Sequence, residues 1–272
     1  MTEMSIGPFL NLIRFEPEAW LNQLREIDRL AGIGHIEVWL EWLPSDKIEY
    51  SAVRSVLSGR RLLIHAPFIG LSIASPWHEL RSISITRIIE CCEIARTLDA
   101  ELVTIHPGPV PVYEDVVSTL DIVAASYEQI RHAAGTVEVA LENTYSGHGV
   151  SVNAAAKISD LLHLSSIVSD LRLTLDVGHA IQNQEEYIEF LNSNVSMISN
   201  IHLHDATVGG RAHMRLGDGS LDLSGLLNAC VSNSYKHFIG LETLTLDDAR
   251  SSLQMVRQHL NGINHDVEEH GP

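Results

Sequence analysis

The chain has 272 residues, of which 45% are hydrophobic, and a formal net charge of −17 at pH 7. This length suits one α/β barrel of roughly 250 residues and requires no second domain. The negative charge opposes broad attraction to nucleic acid or an anionic membrane, and no segment reaches the roughly 18 uninterrupted apolar residues of a membrane span. The start MTEMSIGPF lacks the pattern of a signal peptide, so we expect a cytoplasmic protein.

Apolar, β-branched runs alternate with helical patterns eight times along the chain. The runs are SIGPFLNL, HIEVWLEW, RLLIHAPF, ELVTIHPGP, VEVALEN, LRLTLDVGHA, ISNIHLHDA and HFIGLET. The helical patterns cover residues 17–31, 46–57, 78–98, 113–134, 152–168, 184–192, 223–232 and 247–260. Such alternation demands parallel strands with right-handed crossovers, and eight units close a barrel. We therefore predict an α/β fold, a single-domain (β/α)8 TIM barrel over residues 1–260, with a disordered tail over 261–272.

Side chains that can hold a divalent metal stand at the ends of most predicted strands. They are Glu37, His65, His106, Glu142, Asp176 with His179, His202 with His204, and Glu242. Buried strands rarely end repeatedly in such groups unless the ends converge, because an unpaired polar group in a packed interior is costly. The strand ends of a parallel barrel meet at one mouth, where barrel enzymes carry their chemistry. The pattern predicts a metal centre there, with Glu142, Asp176, His202 and Glu242 as its core.

The types of ligand narrow the choice of metal. Carboxylates and imidazoles together suit Zn, Mn, Fe or Co, and the absence of thiolate ligands argues against a structural zinc site. The sequence leaves the metal open among these, and it leaves the number of ions open between one and three.

Several short motifs follow one another in a fixed order between about residues 61 and 243. They are IHAPFIGLSIAS, IHPG, LEN, DVGHA, HLHD, LGDGSLD and LET. In order and spacing they resemble the xylose isomerase-like barrel superfamily, which includes AP endonuclease family 2 and sugar phosphate isomerases and epimerases. Within it they are most similar to the endonuclease IV branch. The resemblance implies one metal on His65, His106 and Glu142 and a neighbouring metal on Glu142, Asp176, His202 and Glu242.

The resemblance also implies a third metal, with His179 and His213 aligned to two of its ligands. Arg211 stands where the family places an aspartate ligand. A fixed cation beside a metal is repulsive, so the third site is weak, differently completed, or replaced by an anion-binding arginine. His204 is expected to point away from His202 and to support the ligands or pack outward. The departure at Arg211, with the acidic loop EWLPSDKIEY after the second strand, argues against abasic DNA as substrate.

The favoured function is hydrolysis of a phosphate ester at two or three metal ions. Paired metals roughly 3.5 to 4 Å apart bind a phosphate and activate water. Arg211 or Arg215 would neutralise charge on the phosphoryl group. Asn143 would donate to the substrate or cap the turn after Glu142. A small phosphorylated metabolite or cofactor is preferred to DNA as the substrate because of the net charge.

Two alternatives remain open. A sugar or sugar-phosphate isomerase or epimerase would use one metal, with Glu142 and Glu242 moving a proton on opposite faces of the substrate. Glu37, His179 and Arg215 would then hold hydroxyls or a phosphate of this polyhydroxylated small molecule. The other alternative is a catalytically inactive metal-binding partner in a pathway. The oligomeric state is not predicted.

Overall fold

The computed structural model describes residues 4–10, 16–30, 32–43, 47–147 and 149–269. Its strands are β1 (Ser5–Leu10), β2 (Ile36–Trp39), β3 (Leu62–His65), β4 (Leu102–Ile105), β5 (Pro109–Pro111), β6 (Glu138–Glu142), β7 (Ser151–Asn153), β8 (Leu173–Asp176), β9 (Ile198–Leu203) and β10 (Phe238–Leu241). All except β5 and β7 pair in parallel and close one barrel, in the order β1-β10-β9-β8-β6-β4-β3-β2. The predicted single-domain (β/α)8 barrel is confirmed.

Helices cover the outside of the barrel between successive strands. They are α1 (Pro17–Ile27), α2 (Lys47–Leu57), α3 (His78–Thr97), α4 (Val116–Ala134), α5 (Ile158–Ile167), α6 (Val177–Gln182), α7 (Tyr187–Asn194), α8 (Leu223–Ser232) and α9 (Leu246–Glu269). No helix within the described ranges is long and apolar enough to cross a membrane.

Several element boundaries differ from the sequence-based prediction, and three of the differences are the clearest. The segment predicted as a helix from residue 152 begins with β7, which pairs antiparallel with β5, and α5 starts only at Ile158. The helix predicted from residue 113 starts at Val116, because the Asp115 side chain caps it by accepting from the Ser118 N–H at 2.8 Å. Helix α9 continues to Glu269, beyond residue 260, where the predicted helix ended; residues 270–272 of the predicted tail lie outside the described ranges.

The barrel interior changes from apolar to polar along the strand direction. Near the amino-terminal ends, Leu63, Leu102, Ala140 and Phe238 form a buried cluster. Alternate residues of a strand face the same side, so the next inward layer is set two residues later. There the Thr104 and Thr174 hydroxyls hydrogen-bond across the barrel at 2.9 Å. At the carboxyl-terminal ends of the strands, the inward-facing residues are the histidines and carboxylates. The buried layers below them hold the backbone to which these side chains are attached.

A buried histidine closes the amino-terminal end of the barrel. His35 is 2% exposed, with its Nδ1 3.0 Å from the Ser5 Oγ and its ring edge-on to Phe238 at 5.1 Å. Burial disfavours the charged ring and lowers its pKa from 6.5 to about 4, although the carboxylate of Glu37 acts in the opposite direction. The folded protein therefore holds this ring neutral.

The neutral His35 makes the free energy of unfolding depend on pH between 6.5 and 4. The unfolded chain takes up a proton first, so the stability contributed by the neutral ring is complete above pH 6.5 and is lost as the pH falls towards 4. The loss is about 3 kcal/mol for a shift of this size. Urea unfolding with a metal chelator present, repeated from pH 7.5 to pH 4, should give a flatter dependence for His35→Asn than for the unaltered protein. Parallel curves for the two proteins would contradict the prediction.

Candidate metal centre

Three groups of metal-ligating side chains lie at the carboxyl-terminal mouth of the barrel. Within each group the donor atoms are all within 4.8 Å of one another. The groups are His65, His106 and Glu142; Glu142, Asp176, His202 and Glu242; and His179, His204 and His213. The first two groups contain the residues that the sequence and the family resemblance named. The third contains His204, which the sequence analysis placed among the strand-end side chains but expected to support the ligands or pack outward.

Glu142 is the carboxylate that the first two groups share. Its Oε2 lies 3.3 Å from His65 Nε2, 3.1 Å from His106 Nε2 and 3.3 Å from His202 Nδ1. Its Oε1 lies 3.3 Å from His179 Nδ1. The side chain is 1% exposed, so almost none of this charge is screened by water. One carboxylate between two ligand groups is positioned to bridge two cations.

Several donor atoms are close together without being hydrogen-bonded. Glu142 Oε1, His202 Nδ1 and Glu242 Oε2 are buried and make no hydrogen bond to any part of the chain that the structure describes. His202 Nδ1 and Glu242 Oε2 nevertheless lie 3.0 Å apart. Buried polar atoms normally have a hydrogen-bond partner. These atoms have none in the described structure, yet they point towards one common position. Imidazole nitrogen and carboxylate oxygen are ligands of Zn and related divalent metals, so this donor set fits such a cation.

Backbone carbonyls set the orientation of several histidine rings. The Nδ1 atoms of His65, His179 and His213 lie 2.9, 3.2 and 3.3 Å from the carbonyl oxygens of Ala66, Asn143 and Glu242. A ring that donates from Nδ1 to a carbonyl keeps the Nε2 lone pair for a metal. His202 is turned the other way, since its Nε2 faces Glu37 and its Nδ1 faces the centre.

Two residues that the sequence analysis assigned to substrate binding make hydrogen bonds to candidate ligands. Glu37 is fully buried, with Oε1 3.0 Å from His202 Nε2 and Oε2 accepting from Asn200 Nδ2 at 3.0 Å. A Cβ at Gly240 would lie 2.9 Å from Glu37 Oε2, so glycine there leaves room for the pair. The Asn143 amide bonds both the N–H and the C=O of Asp176 at 2.8 Å. The polar atoms of both side chains are therefore hydrogen-bonded within the protein, below the mouth of the barrel.

The two arginines expected to bind substrate are exposed on the long loop between β9 and α8. Arg215 donates to the Asp218 carboxylate at 2.9 Å. The backbone N–H of Arg211 donates to the Thr207 hydroxyl at 2.9 Å. The buried Asp205 carboxylate orders the loop by accepting from the N–H groups of Ala206, Gly217 and Leu221, each at 2.9 Å. The loop is therefore fixed at its base, and its arginines lie at the surface.

The prediction that His204 points away from His202 was wrong. Residues two apart on a strand share a face, so both rings turn towards the mouth. His204 is fully buried, and its Nε2 lies 3.1 Å from Asp176 Oδ2. The spacing H-x-H at a strand end was the signal in the sequence that could have identified it.

The family model for xylose isomerase-like TIM barrels matches residues 27–259. The chain belongs to this family.

Relatives of known sequence or structure agree with this membership. The uncharacterized protein MJ1311 of Methanocaldococcus jannaschii is 27% identical over 215 residues, which cover 76% of this chain and 73% of the relative. The crystal structure of a D-tagatose 3-epimerase-like protein is similar with a TM-score of 0.82 and 22% identity, covering 97% of this chain and all of the other. Endonuclease IV from Thermus thermophilus is similar with a TM-score of 0.70 and 21% identity, covering 95% of this chain and 99% of the other. At these identities the solved structures establish the fold.

Charges at the mouth of this xylose isomerase-like barrel are strongly coupled. Burial alone would lower the pKa of His202, but the carboxylates of Glu37, Glu242 and Glu142 raise that pKa well above its ordinary value. Burial alone would raise the pKa of Glu142, but the imidazoles of His106 and His202 hold it well below. The carboxylates thus stay ionised and need positive charge beside them. Since a cation and the imidazole protons compete for this role, metal binding should release protons.

Glu37 should control metal affinity through His202. In Glu37→Gln the anionic acceptor at His202 Nε2 is lost, and the ring is held less firmly and is less basic. We expect a ten- to hundred-fold weaker affinity for Zn²⁺, as is typical for the loss of such a partner. Competition with a chelating indicator dye measures this affinity. Glu138→Gln is a matched control, because Glu138 pairs with Arg172 at the amino-terminal end of β6. An unchanged affinity in Glu37→Gln would refute the assignment.

Proposed function

We propose that this protein is a divalent-metal-dependent hydrolase of a phosphate ester, with a small phosphorylated metabolite or cofactor as substrate. The observation that carries the proposal is the group of His65, His106 and Glu142 beside the four-ligand group, with Glu142 common to both. Cleavage of a phosphate ester benefits from two cations, whereas movement of a proton next to a carbonyl needs one. Zn or Mn suits these ligands, and Fe or Co is compatible with them.

The chain's own residues divide the work of such a reaction. Divalent ions held by the two groups would neutralise phosphoryl oxygens and activate water for attack. Glu142 would serve both cations, because it belongs to both groups. Glu242, whose side chain is 12% exposed, is more open to the mouth than the other carboxylates and can hold or release a proton there. Arg211 is exposed on the loop beside the mouth, where a guanidinium can pair with a phosphate.

An aromatic wall and the net charge support a small substrate. The rings of Trp39, Phe68 and His106 stack in sequence, with centroids 5.0 Å and 4.4 Å apart. This wall stands directly beside the ligand group of His65 and His106 and limits access from that side. A chain with a net charge of −17 repels a polyanion such as DNA far more than a compound with one phosphate. Nucleic acid is therefore the less favoured substrate.

A second candidate function is epimerisation or isomerisation of a sugar or sugar phosphate. The observation that favours it is the pair of carboxylates around His202 Nδ1, which lies 3.3 Å from Glu142 Oε2 and 3.0 Å from Glu242 Oε2. Two carboxylates that face one position can remove a proton from one side of a carbon and return it on the other. This reaction uses the four-ligand group alone and gives His65 and His106 no ligand role.

Substitution of His106 should separate the two functions. His106→Ala removes one of the three ligands in the group of His65, His106 and Glu142 and leaves the four-ligand group intact. We expect metal content to fall by about one ion per chain and cleavage of bis-p-nitrophenyl phosphate to fall at least a hundred-fold. Elemental mass spectrometry on protein purified without chelator or nickel resin, after titrating metal back, gives the ion count. His132→Ala, an exposed histidine on α4, is the control. Unchanged metal content together with epimerase activity on ketoses would overturn the proposal in favour of the second candidate.

A further inference from the structure

The His106 ring is held differently from several other candidate ligands. The Nδ1 atoms of His65, His179 and His213 face backbone carbonyls, which orient those rings. Within the described ranges, the polar contacts of His106 both run through its Nε2, which lies 3.1 Å from His65 Nε2 and 3.1 Å from Glu142 Oε2. Contacts at one nitrogen leave the plane of a ring undetermined. The orientation of His106 must therefore come from packing against its face.

Phe68 supplies that packing from the loop that follows β3. Its ring is stacked on His106 with the centroids 4.4 Å apart and the planes 29° apart, and it is also stacked on Trp39 at 5.0 Å and 15°. Stacked rings stabilise one another in a preferred mutual geometry. Phe68 can fix the plane of His106 only if its own loop is held in place.

The Glu41 carboxylate holds this loop against the end of β2. Its Oε2 accepts from the backbone N–H of Phe68 and from the indole N–H of Trp39, each at 3.1 Å. Its Oε1 accepts from the backbone N–H of Ile69 at 3.1 Å. Hydrogen bonds to an ionised carboxylate are stronger than those between neutral groups. One side chain thus fixes both aromatic partners in the stack that ends on His106.

We infer that Glu41 is a positioning residue, which sets the plane of the His106 ring through Phe68. Its own hydrogen bonds in the described part of the chain go to Trp39, Phe68 and Ile69, so it acts on the ligand only indirectly. The group that contains His106 is the one that separates a two-ion centre from a one-ion centre. Glu41 therefore controls the affinity for the second ion, and the consequence of this for catalysis rests on the proposed function.

Nuclear magnetic resonance of the metal-free protein tests the position of the ring directly. The stacked Phe68 ring displaces the Cε1–H signal of His106, which is assigned by its disappearance in His106→Ala. Glu41→Gln places an amide group against backbone N–H groups and should loosen the loop. The His106 signal should then move towards that of an unstacked histidine. An unmoved signal would refute the inference.

Titration of metal-stripped protein with Zn²⁺ by calorimetry tests the effect on binding. The ion that is lost in His106→Ala should bind about ten-fold more weakly in Glu41→Gln, the lower end of the range for loss of a group that orients a ligand. The other ion should bind as before. Phe68→Leu should weaken the same ion, and the double variant should be no weaker than Phe68→Leu, because Glu41 acts through that ring. Additive losses, or equal weakening of both ions, would show a general role in the loop and overturn the inference.

Glu101→Gln is the matched control, since it removes a carboxylate that accepts two hydrogen bonds from Arg61 at the amino-terminal end of the barrel. If Glu41→Gln does not fold, as judged by circular dichroism, Phe68→Leu replaces it, and unchanged Zn²⁺ affinities there would count against the inference. A moved His106 signal with a single ion in the unaltered protein would keep the positioning role and remove the proposed function. An unmoved signal with two ions and a His106-dependent phosphodiesterase would do the reverse.

Discussion

The burial of the Glu142 carboxylate among four imidazoles is the constraint on which the rest of the centre depends. A charge that is 1% exposed must be matched by opposite charge close by, because the interior cannot solvate it. His65, His106, His179 and His202 all lie within 3.3 Å of it and can supply that charge only as protonated rings. A divalent cation supplies the charge without those protons. The same carboxylate therefore affects both metal binding and folding, and a bound metal should also stabilise the folded barrel.

The layers of the barrel hold this centre in place. Strand alternation places the Glu37 carboxylate directly beneath the ligands, where Asn200 and His202 use both of its oxygens. Gly240 leaves the volume that this pair occupies. Asn143 joins the ends of β6 and β8 by bonding the backbone of Asp176 on both sides. His202 and the backbone of Asp176 are thus held by buried polar side chains, which orients two of the candidate ligands.

The fold and most members of the candidate metal centre could be predicted from the sequence, because strand periodicity and polar strand ends are local signals. The antiparallel pairing of β5 with β7 could not, since residues 109–111 and 151–153 are far apart in the chain and short. Glu37 and Asn143 stand at strand ends like the ligands, and only the three-dimensional arrangement reveals that their polar atoms are already used. His204 could have been recognised from its two-residue spacing to His202, whereas its fit against Gly178 depends on how α6 packs on β9.

The balance of charge at the mouth bears on the choice of substrate. Four carboxylates contact the ligand imidazoles in the part of the chain that the structure describes, namely Glu37, Glu142, Asp176 and Glu242. Two divalent ions would balance these four charges, so a compound with one phosphate would meet no excess negative charge at the mouth. The rest of the chain, with its net charge of −17, repels polyanions. Under the proposed function, bound metal is therefore what lets a small phosphorylated compound approach a centre that the buried carboxylates alone would close to it.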